Sequence, residues 1–318
     1  MVRSKTLLLI DGNSLFHRAY HAIPFLTDKS GEVANAVFGF SNMLIKAIGE
    51  VKPDYIACAF DTAAPTFRHI EFEKYKAQRV APPPDLYPQL PKVKKILDAF
   101  GIPYFEKEGY EADDLLATLA SKCKVKSEKG KVDEVIILSG DRDTLQLVDG
   151  DVKVQAPGWN LKETTLYGAV EVREKYGLEP HQMVDYKSLT GDASDNVPGI
   201  SGIGPKTASS LLKKYHTLEN LFEHLGEIDD KLRTKLATGK EIALAAKKLV
   251  ELDRNVAISF ELLELSFKPD WERVRSEYEE LGFKSIVAKL TGGSAPQKDE
   301  KIVNSEPKTN NQDQLELI

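Results

Sequence analysis

The stretch Val135-Ile136-Ile137-Leu138-Ser139-Gly140-Asp141-Arg142-Asp143 decides the fold, because an apolar run ends in two carboxylates. The same pattern occurs twice more: residues 6–10 lead into Asp11, and residues 55–60 lead into Asp61. Short continuous apolar runs are typical of strands buried on both faces of a parallel sheet. Ligands of such sheets bind beyond the carboxyl ends of the strands. The sequence therefore predicts an α/β fold in which three strands deliver negative charge to one crevice.

Further acids follow in two short clusters. Glu111-Ala112-Asp113-Asp114 opens a predicted helix, and Asp192 and Asp195 lie in a polar segment near a predicted helix end. Acids at a helix start complement its dipole, but three in four residues are more than capping requires. The segment around Asp192 is by itself a polar turn, since its residues are turn formers. Because like charges held together are costly without a cation, we interpret the crevice as a metal site.

Composition places the chain among ordinary globular proteins. Of its 318 residues, 42% are hydrophobic and 29% are charged, which are common values for a folded domain. No apolar run approaches the roughly 20 residues that a membrane span needs. Cys58 and Cys123 lie in a predicted strand and a predicted helix, a usage that indicates a reduced compartment. We expect a cytoplasmic protein without membrane contact.

The charge distribution favours a polyanionic partner. The net charge is −6, and residues 291–318 hold three Lys against five acidic residues. Nine more acids belong to the proposed cluster, so the rest of the chain is mildly basic. A basic body around an acidic pit suits a protein that binds nucleic acid through bridging divalent ions.

Residues 62–95 interrupt the α/β pattern with a basic and aromatic segment. Phe67, Phe72, Tyr75 and Tyr87 alternate there with basic side chains, and Pro82-Pro83-Pro84 stops any helix. The basic residues are Arg68, Lys74, Lys76, Arg79, Lys92, Lys94 and Lys95. Such a mixture suits single-stranded nucleic acid, which offers backbone charge and stacking bases. The alternative is a solvated amphipathic segment without a ligand.

A glycine-rich segment, Gly199-Ile200-Ser201-Gly202-Ile203-Gly204-Pro205-Lys206-Thr207-Ala208, precedes a predicted helix. It fails the phosphate-loop pattern because Pro205 stands before the Lys. A helix-hairpin-helix fits better, since glycines allow a tight hairpin whose N–H groups face a phosphate at the next helix start. Such a hairpin contacts backbone rather than bases, so binding should not depend on sequence.

A pair of histidines, His17 and His21, is spaced four apart on a predicted helix. Without a third ligand the pair is interpreted as a surface feature rather than a zinc site. Arg18, two helical turns beyond Asp11, could instead reach a phosphate held in the crevice. Further along, hydrophobic periodicity predicts helices over 229–237, 239–252, 270–281 and 284–290, with an extended stretch over 256–267.

Taken together, the motifs closely resemble the 5′-nuclease family, which includes phage 5′ nucleases, flap endonucleases and the N-terminal 5′→3′ exonuclease domain of bacterial DNA polymerase I. The resemblance runs from about residue 6 to 290. Tyr75-Lys76-Ala77-Gln78-Arg79 also matches the family's arch, which gates single-stranded 5′ ends. The other matching motifs, in the family's order, are Asp11-Gly12-Asn13-Ser14, Ala59-Phe60-Asp61, Gly109-Tyr110-Glu111-Ala112-Asp113-Asp114, Gly140-Asp141-Arg142-Asp143, Thr190-Gly191-Asp192 through Asp195-Asn196, and the hairpin at 199–208.

The resemblance implies a mostly parallel central sheet flanked by helices, a PIN-like 5′-nuclease fold. It divides the folded chain into a catalytic region 1–170 with a helical arch at about 62–95 and a helical region 171–290 with the hairpin. The polar composition from residue 291 onward cannot bury enough apolar surface to fold, so it predicts a disordered tail 291–318. The family resemblance implies metal-dependent hydrolysis of DNA at 5′ flaps, nicks and duplexes with 5′ overhangs, in primer removal and repair. Such an enzyme would be nucleoid-associated, and either stand-alone or a fragment of a longer polymerase.

The resemblance also implies roles for single residues. Two Mg²⁺ or Mn²⁺ ions, about 3.5–4 Å apart in such sites, would be held by two sets of acids. One set is Asp61, Glu111, Asp113 and Asp114, with Asp11 through water, and the other is Asp141, Asp143, Asp192 and Asp195. Lys76 and Arg18 would stabilise the transition state beside Asp11, Asp61, Asp113 and Asp141. DNA contacts are expected from Arg68, Lys76, Arg79, Gly202, Gly204, Lys206 and Thr207, with a K⁺ at the hairpin as a further candidate cofactor.

The end of the tail resembles the peptide by which bacterial replication proteins dock on the sliding clamp. Gln314, Leu315, Leu317 and Ile318 would be the docking residues, and the flexible tail would raise the effective concentration at DNA. The alternative is a chance apolar end.

Three other functions are considered for the whole chain. They are an RNA-cleaving PIN-type nuclease, a non-catalytic module that recruits repair enzymes to DNA, and a Mg²⁺-dependent phosphatase. The hairpin and the basic segment favour DNA over RNA as the substrate. The complete set of acids argues against a non-catalytic module, and a phosphatase would not need the basic segment.

Overall fold

A computed structural model of the chain describes residues 4–124, 132–158 and 163–290. Its centre is one six-stranded sheet, parallel except at one edge. The strands are β1 (Thr6–Asp11), β2 (Tyr55–Phe60), β3 (Tyr104–Glu106), β4 (Glu134–Leu138), β5 (Val152–Pro157) and β6 (Thr164–Tyr167). They lie in the order β3-β2-β1-β4-β5-β6, and only β6 is antiparallel to its neighbour. The predicted α/β class with a mostly parallel sheet is confirmed.

Twelve α-helices surround the sheet and continue beyond it within the described residues. They are α1 (Gly12–Ala22), α2 (Asn35–Val51), α3 (Phe67–Glu71), α4 (Leu90–Phe100), α5 (Ala112–Lys124), α6 (Ala169–Tyr176), α7 (Met183–Thr190), α8 (Pro205–Tyr215), α9 (Leu218–Glu223), α10 (Asp230–Val250), α11 (Trp271–Leu281) and α12 (Lys284–Leu290). Short 3₁₀ helices occur at 87–89, 142–147, 180–182, 225–227 and 262–265.

The register of the three central strands places their carboxyl ends side by side. Asp11 of β1 lies opposite Ala59 of β2, and Ile10 lies opposite Leu138 of β4. Because these strands run parallel, the residues that follow each of them emerge at the same edge. The strand order reverses at β1, which has β2 on one side and β4 on the other. A crevice at this position is the usual ligand site of open parallel sheets.

Alternating strand side chains supply a core on each sheet face. On one face Leu8 and Ile10 pack with side chains of α1, α2, α4, α11 and α12. On the other face Leu7 and Leu9 pack with α5 and with Leu252, Val256 and Leu265. Both faces are covered, which explains why the central strands read as continuous apolar runs.

A third core lies outside the sheet and is built from α7 to α10. Ile200 and Ile203 of the glycine-rich segment are buried in it together with Leu212 and Leu236. A small fourth cluster joins Tyr75 of the basic segment to Leu249 and Val250 at the end of α10. The basic segment is therefore held at its base by the same helix that supports the hairpin.

The structure corrects several element boundaries. The helices predicted over 229–237 and 239–252 form the single helix α10. Residues 256–267 form no strand, and only Ser266 makes an isolated bridge, to Tyr55. In the segment predicted as a helical arch, α3 and the start of α4 are helical, whereas residues 72–86 are mainly turns.

The cores do not follow the predicted division at residue 170. α11 and α12 contribute Val274, Tyr278 and Ile286 to the core that includes β1. The C-terminal helices therefore complete the α/β body, because the sheet face beside α4 would otherwise be uncovered. Among the described residues, no helix is long and apolar enough to cross a membrane. The predicted tail 291–318 lies outside the described residues.

Candidate active site

Asp11 is the buried centre of the crevice. It ends β1 and caps α1, accepting a hydrogen bond at Oδ1 from the Ser14 backbone N–H at 2.9 Å. Its Oδ2 accepts a second bond from Ser139 Oγ at 2.6 Å, although only 5% of the residue is exposed. Burial, with smaller contributions from the nearby charges of Asp141 and Asp61, raises the pKa of Asp11 to about 7. A carboxyl held at such a pKa lacks sufficient positive charge around it.

The loop after β4 brings Asp141 and Asp143 to the same place. Asp141 caps a 3₁₀ helix by accepting from the Asp143 N–H at 2.8 Å, and its own N–H donates to Ser139 Oγ at 3.0 Å. A Cβ at Gly140 would lie 3.0 Å from Arg18 Nη2. The glycine thus lets Arg18 approach the loop closely. The structure therefore places Arg18 beside the loop that carries Asp141, and its Nη1 donates to the Gly158 carbonyl at 3.4 Å.

The start of α5 supplies the next group of acids. Asp61, following β2, accepts a hydrogen bond from the Ala112 N–H at 2.7 Å, which fixes the start of α5 at the crevice. Glu111 is 7% exposed. Burial and repulsion from Asp114 and Glu111 raise the pKa of Asp113 well above its usual value. Burial and the nearby charge of Glu111 also raise the pKa of Asp61, so the acids after β2 and at the start of α5 lie close together.

Asp192 and Asp195 lie on a loop whose two ends touch. Gly191 has a φ of +74°, and a Cβ there would lie 2.5 Å from the Gly199 backbone nitrogen. Asp192 and Val197 form a backbone bridge inside the loop. Glycine at both ends allows this closure, which the sequence patterns did not reveal. The closed loop joins the carboxylates directly to the hairpin that starts at Gly199.

Basic side chains fill the space between these carboxylates. Lys76 Nζ lies 2.6 Å from Glu111 Oε1 and 3.8 Å from Asp195 Oδ2, and Arg79 Nη2 lies 2.7 Å from Asp195 Oδ1. Lys187 Nζ contacts Asp143 and lies 2.6 Å from Asp192 Oδ2. Burial alone would raise the pKa of Asp192, but Lys187 and the hydrogen bonds from Ser194 lower it to about 2.

Lys187 and Tyr75 were missed as site residues by sequence reasoning. The only signal for Lys187 was a basic residue one to two helical turns before Asp192. The sequence predicts that Tyr75 stacks on a base, yet its hydroxyl lies 3.0 Å from Glu111 Oε2 and 3.1 Å from Asp195 Oδ2. It is buried and bridges two of the acids.

The oxygen-only donor set of the crevice fits divalent cations. Within the described residues, no group of three His, Cys, Asp or Glu side chains is placed so that it could coordinate one metal ion. The ammonium and guanidinium groups of Lys76, Arg79 and Lys187 lie among the oxygens instead. Even so, the pKa of Asp141 is raised, chiefly by burial, although Lys187 and Lys76 lower it. Buried acids that remain under-neutralised beside three cations suit hard ions such as Mg²⁺ or Mn²⁺.

The basic segment packs against the acidic loop through its backbone as well. The Lys76 N–H donates to the Asp195 carbonyl at 2.9 Å, and Asn196 Nδ2 donates to the Lys74 carbonyl at 2.7 Å. Lys76 and Asn196 both adopt positive φ angles, 54° and 57°. Such conformations cost about 1–3 kcal/mol each and persist where surrounding contacts impose them.

Arg68 is not placed as the sequence predicted. Its side chain is 1% exposed and points into the protein, where it pairs with Asp114 at 2.7 Å. A buried guanidinium cannot reach a DNA phosphate, so the expected DNA contact at Arg68 is wrong for this structure.

The glycine-rich segment forms the predicted hairpin between α7 and α8. Gly202 has a φ of +76°, and Gly204 caps α8 with Pro205 as its first residue. Gly202, Gly204 and Lys206 are exposed, whereas Thr207 is half-buried. Lys235 of α10, which sequence reasoning missed, donates from Nζ to the Gly202 carbonyl at 3.3 Å. An exposed turn, a helix start and two lysines thus form one basic surface.

The histidine pair shows no metal-binding arrangement with neighbouring described residues. His17 Nε2 lies 3.2 Å from the Tyr87 hydroxyl, and burial lowers the pKa of His17 to about 4. The candidate docking residues Gln314, Leu315, Leu317 and Ile318 lie outside the described residues.

Comparisons with known proteins point to one family. Residues 6–177 match the family model of the 5'-3' exonuclease N-terminal resolvase-like domain, and residues 178–273 match that of the 5'-3' exonuclease C-terminal SAM fold. The DNA polymerase I of Caldicellulosiruptor bescii is 41% identical over 288 residues, which are 89% of this chain and 33% of that protein. The DNA polymerase I of Bacillus subtilis is 38% identical over 97% of this chain and 35% of its own length. The chain thus spans about a third of the length of these relatives.

Solved structures agree on the fold. A bacteriophage T5 flap endonuclease, solved as a pseudo-enzyme-product complex with DNA and metal ions, matches with a TM-score of 0.64 and 17% identity. The match covers 91% of this chain and 97% of the phage chain. With the two family models covering residues 6–273 of the sequence, this chain belongs to the 5'-3' exonuclease family.

Proposed function

We propose that the chain is a divalent-metal-dependent nuclease that hydrolyses DNA phosphodiester bonds at 5′ flaps, nicks and duplexes with 5′ overhangs. The observation that carries this proposal is the meeting of acids from β1, β2, α5, the β4 loop and the 191–199 loop in one crevice bordered by basic side chains. The family relation and the phage structure with DNA and metal ions support the same conclusion. Primer removal and repair at the nucleoid are the settings in which such ends arise.

Two groups of carboxylates would hold the ions. Asp61, Glu111 and Asp113, with Asp11 behind them, form one group at the start of α5. The second group is Asp141, Asp143, Asp192 and Asp195, on the β4 loop and the 191–199 loop. Bound divalent ions at such sites supply an activated water and stabilise the leaving oxygen.

The basic side chains would also bind the phosphate of a substrate in the crevice. Lys76 and Arg79 come from the segment over the crevice, and Arg18 of α1 lies beside Gly140. Lys76 and Arg79 can turn their donors from the acids, and Arg18 from the Gly158 carbonyl, to the non-bridging oxygens of a phosphodiester. Fixed donors aimed at developing charge stabilise the transition state. Lys187, between Asp143 and Asp192, is a fourth donor of this kind.

The hairpin would hold the duplex part of the substrate. The exposed turn at Gly202 and Gly204 presents backbone N–H groups at the start of α8, and Lys206 and Lys235 add charge. This contact involves phosphates only, so affinity should depend on salt and not on base sequence. A K⁺ at the hairpin is also proposed; it would be held by hairpin carbonyls such as that of Gly202, in place of the Lys235 ammonium, and would add positive charge toward a phosphate.

The unpaired strand would pass beside the basic segment. A cavity of about 510 Å³ opens there between the segment and the acidic loop, next to Asp192. Phe72, Lys74 and Asn196 line it. An aromatic ring, a cation and an amide suit an unpaired nucleotide, whose base can stack while its phosphate is held.

The proposal is tested by digesting a 5′-labelled DNA flap with and without Mg²⁺ and resolving the product lengths. We expect cleavage only with the metal, and the lengths separate release of a flap from release of single nucleotides. The matched control is the double variant Asp141→Ala/Asp143→Ala, which should bind the flap but not cut it. Near-native cleavage by this variant at saturating Mg²⁺ would contradict the assignment. An RNA flap of the same sequence, cut faster than DNA, would favour the RNA-cleaving alternative.

We also propose that the peptide at residues 314–318 docks on a sliding clamp. The support is the sequence alone: Leu315, Leu317 and Ile318 form an apolar end on a long polar tail. Binding of the chain to the clamp should be lost when the last five residues are removed, while flap cleavage in the absence of the clamp should not change. Equal clamp binding by both chains would remove this proposal.

A further inference from the structure

The contact between Arg68 and Asp114 is closed to every other ligand. Arg68 Nη1 and Nη2 donate to the two carboxylate oxygens of Asp114 at 2.7 and 2.8 Å. The other donor positions of Arg68 reach the Leu249 carbonyl at 2.7 Å, the Glu251 carbonyl at 3.1 Å and Glu111 Oε2 at 3.4 Å. A guanidinium has five N–H groups, and here each has an acceptor.

Asp114 is saturated in the same way. Besides the two bonds from Arg68, its Oδ2 accepts from the Glu111 N–H at 3.1 Å and its Oδ1 accepts from the Asp253 N–H at 2.9 Å. An ionised carboxylate offers about four lone-pair positions, so none is left for a metal ion. Asp114 is also 0% exposed. Asp113 differs, because it is half-buried and, within the part of the chain that the structure describes, only its Oδ1 accepts a hydrogen bond, from the Asp114 N–H.

The pair joins three parts of the molecule that meet at the site. Arg68 lies in α3, eight residues before Lys76, and Asp114 lies in α5, three residues after Glu111. The carbonyls of Leu249 and Glu251 belong to the end of α10, which also supports the hairpin. The guanidinium therefore fixes the base of the segment that carries Lys76 against the helix that carries Glu111.

We infer that Arg68 is a positioning residue for the basic segment and that Asp114 is its counterion, not a ligand of the metal. This deepens the nuclease assignment and rests on it. Asp114 therefore differs in role from its neighbours. Glu111 and Asp113 bind the ion, whereas Asp114 and Arg68 fix the position of the helices and the segment that surround it.

A cycle of variants tests the role of Asp114 through Mn²⁺ binding, measured by calorimetry without DNA. Asp114→Asn leaves Arg68 uncompensated beside Glu111, so Mn²⁺ affinity should fall about tenfold. Arg68→Gln/Asp114→Asn removes both charges and should bring the affinity back to within about threefold of the parent. The control Asp113→Asn should lose about 10- to 100-fold, and adding Arg68→Gln to it should restore nothing. If the Arg68→Gln/Asp114→Asn variant binds Mn²⁺ as weakly as Asp113→Asn, Asp114 is a ligand and the inference is overturned.

A second measurement tests the role of Arg68. In Arg68→Gln, amide hydrogen exchange over 72–80 should accelerate about tenfold while that of β1 and β4 is unchanged. The single-turnover rate at saturating flap should fall, and the salt slope of flap binding should stay as in the parent because no phosphate contact is lost. Arg79→Gln should instead lower that slope by about 1, and Arg68→Lys should recover part of the rate. A lower salt slope in Arg68→Gln, or unchanged exchange over 72–80, would overturn the positioning role. Failure of the parent chain to cut any flap would sink the nuclease assignment, whereas the Mn²⁺ cycle needs no cleavage.

Discussion

At the scale of single residues, Asp11 shows what the site costs the folded chain. The side chain is needed where β1 ends, yet it is buried among other acids. Ser139 and the start of α1 satisfy its oxygens without neutralising its charge. The folded protein therefore holds a carboxyl whose pKa, about 7, lies above its unfolded value of 3.8. The ionised carboxylate that the site needs at this position therefore lowers the stability of the folded protein.

This opposition gives a pH-dependent prediction for Asp11→Asn. Since the folded pKa is raised, the folded state binds the proton more tightly, and the free energy of unfolding falls as pH rises from about 4 to about 7. Asn avoids that loss, so in EDTA the variant should gain about 4 kcal/mol at pH 8 and nothing at pH 3.5. Urea unfolding at the two pH values measures it. An equal gain at both would mean that the charge of Asp11 is not the cause.

At the scale of elements, α10 is the part that places the hairpin. Gly239 lies inside this helix, where Ala is normally preferred by about 1 kcal/mol. A Cβ at 239 would lie 2.6 Å from Ile200 Cγ2, so the glycine permits α10 to approach the hairpin closely. Lys235, one turn earlier, then reaches the Gly202 carbonyl.

Gly239→Ala should therefore have the opposite sign from most helical Gly→Ala changes. The added methyl should push Ile200 away, lower the free energy of unfolding by about 1–3 kcal/mol, and weaken duplex binding. Chemical unfolding and a duplex titration measure the two effects. The neighbouring exposed position gives a control, since Thr238→Ala should change stability by less than about 0.5 kcal/mol. A more stable Gly239→Ala variant would show that the hairpin can move aside freely.

The hairpin's own charge makes a separate prediction. Lys206→Glu should weaken duplex binding and reduce the slope of log affinity against log salt by about 1 or more, because a phosphate contact is replaced by repulsion. Lys284→Glu on α12, also exposed, is the charge-matched control and should leave the slope unchanged. Fluorescence anisotropy of a labelled duplex over a salt series gives both slopes. An unchanged slope for Lys206→Glu would exclude the hairpin from the binding surface.

At the scale of the whole molecule, the chain closes on itself around the sheet. α11 and α12 come last among the described residues and cover a face formed by the first strands. The catalytic body is thus completed by its C-terminal helices, with the hairpin region inserted between.

Ending the chain at residue 270 tests this closure. The shortened chain loses Val274, Tyr278 and Ile286, each fully buried. Large buried side chains contribute about 2–5 kcal/mol each, and their sum approaches the whole stability of a domain. We expect no cooperative urea transition for 1–270, whereas 1–290 should unfold like the full chain. Circular dichroism during a urea titration distinguishes them. A cooperative transition for 1–270 near the midpoint of the full chain would mean that the sheet is stable without α11 and α12.

The order of elements and most of the acids could be predicted from sequence, for a local reason. An apolar run that stops at an acid fixes both the strand and the place where it ends, so Asp11, Asp61 and Asp141 could be assigned to one edge of a parallel sheet. The glycine-rich hairpin could also be predicted from local sequence, because the conformations of Gly202 and Gly204 depend on nearby residues. These signals all lie within about ten residues of chain.

Only the tertiary structure decided the roles that depend on distant partners. Arg68 and Lys76 are both basic residues among aromatics, and nothing near them tells which is buried. The difference arises because Asp114 and the end of α10, far along the chain, enclose the first and leave the second facing the acids. The role of Lys187 and the packing of α11 and α12 on the sheet could not be predicted from the sequence for the same reason. The local pattern determined where charge would be needed, and long-range packing decided which charges meet.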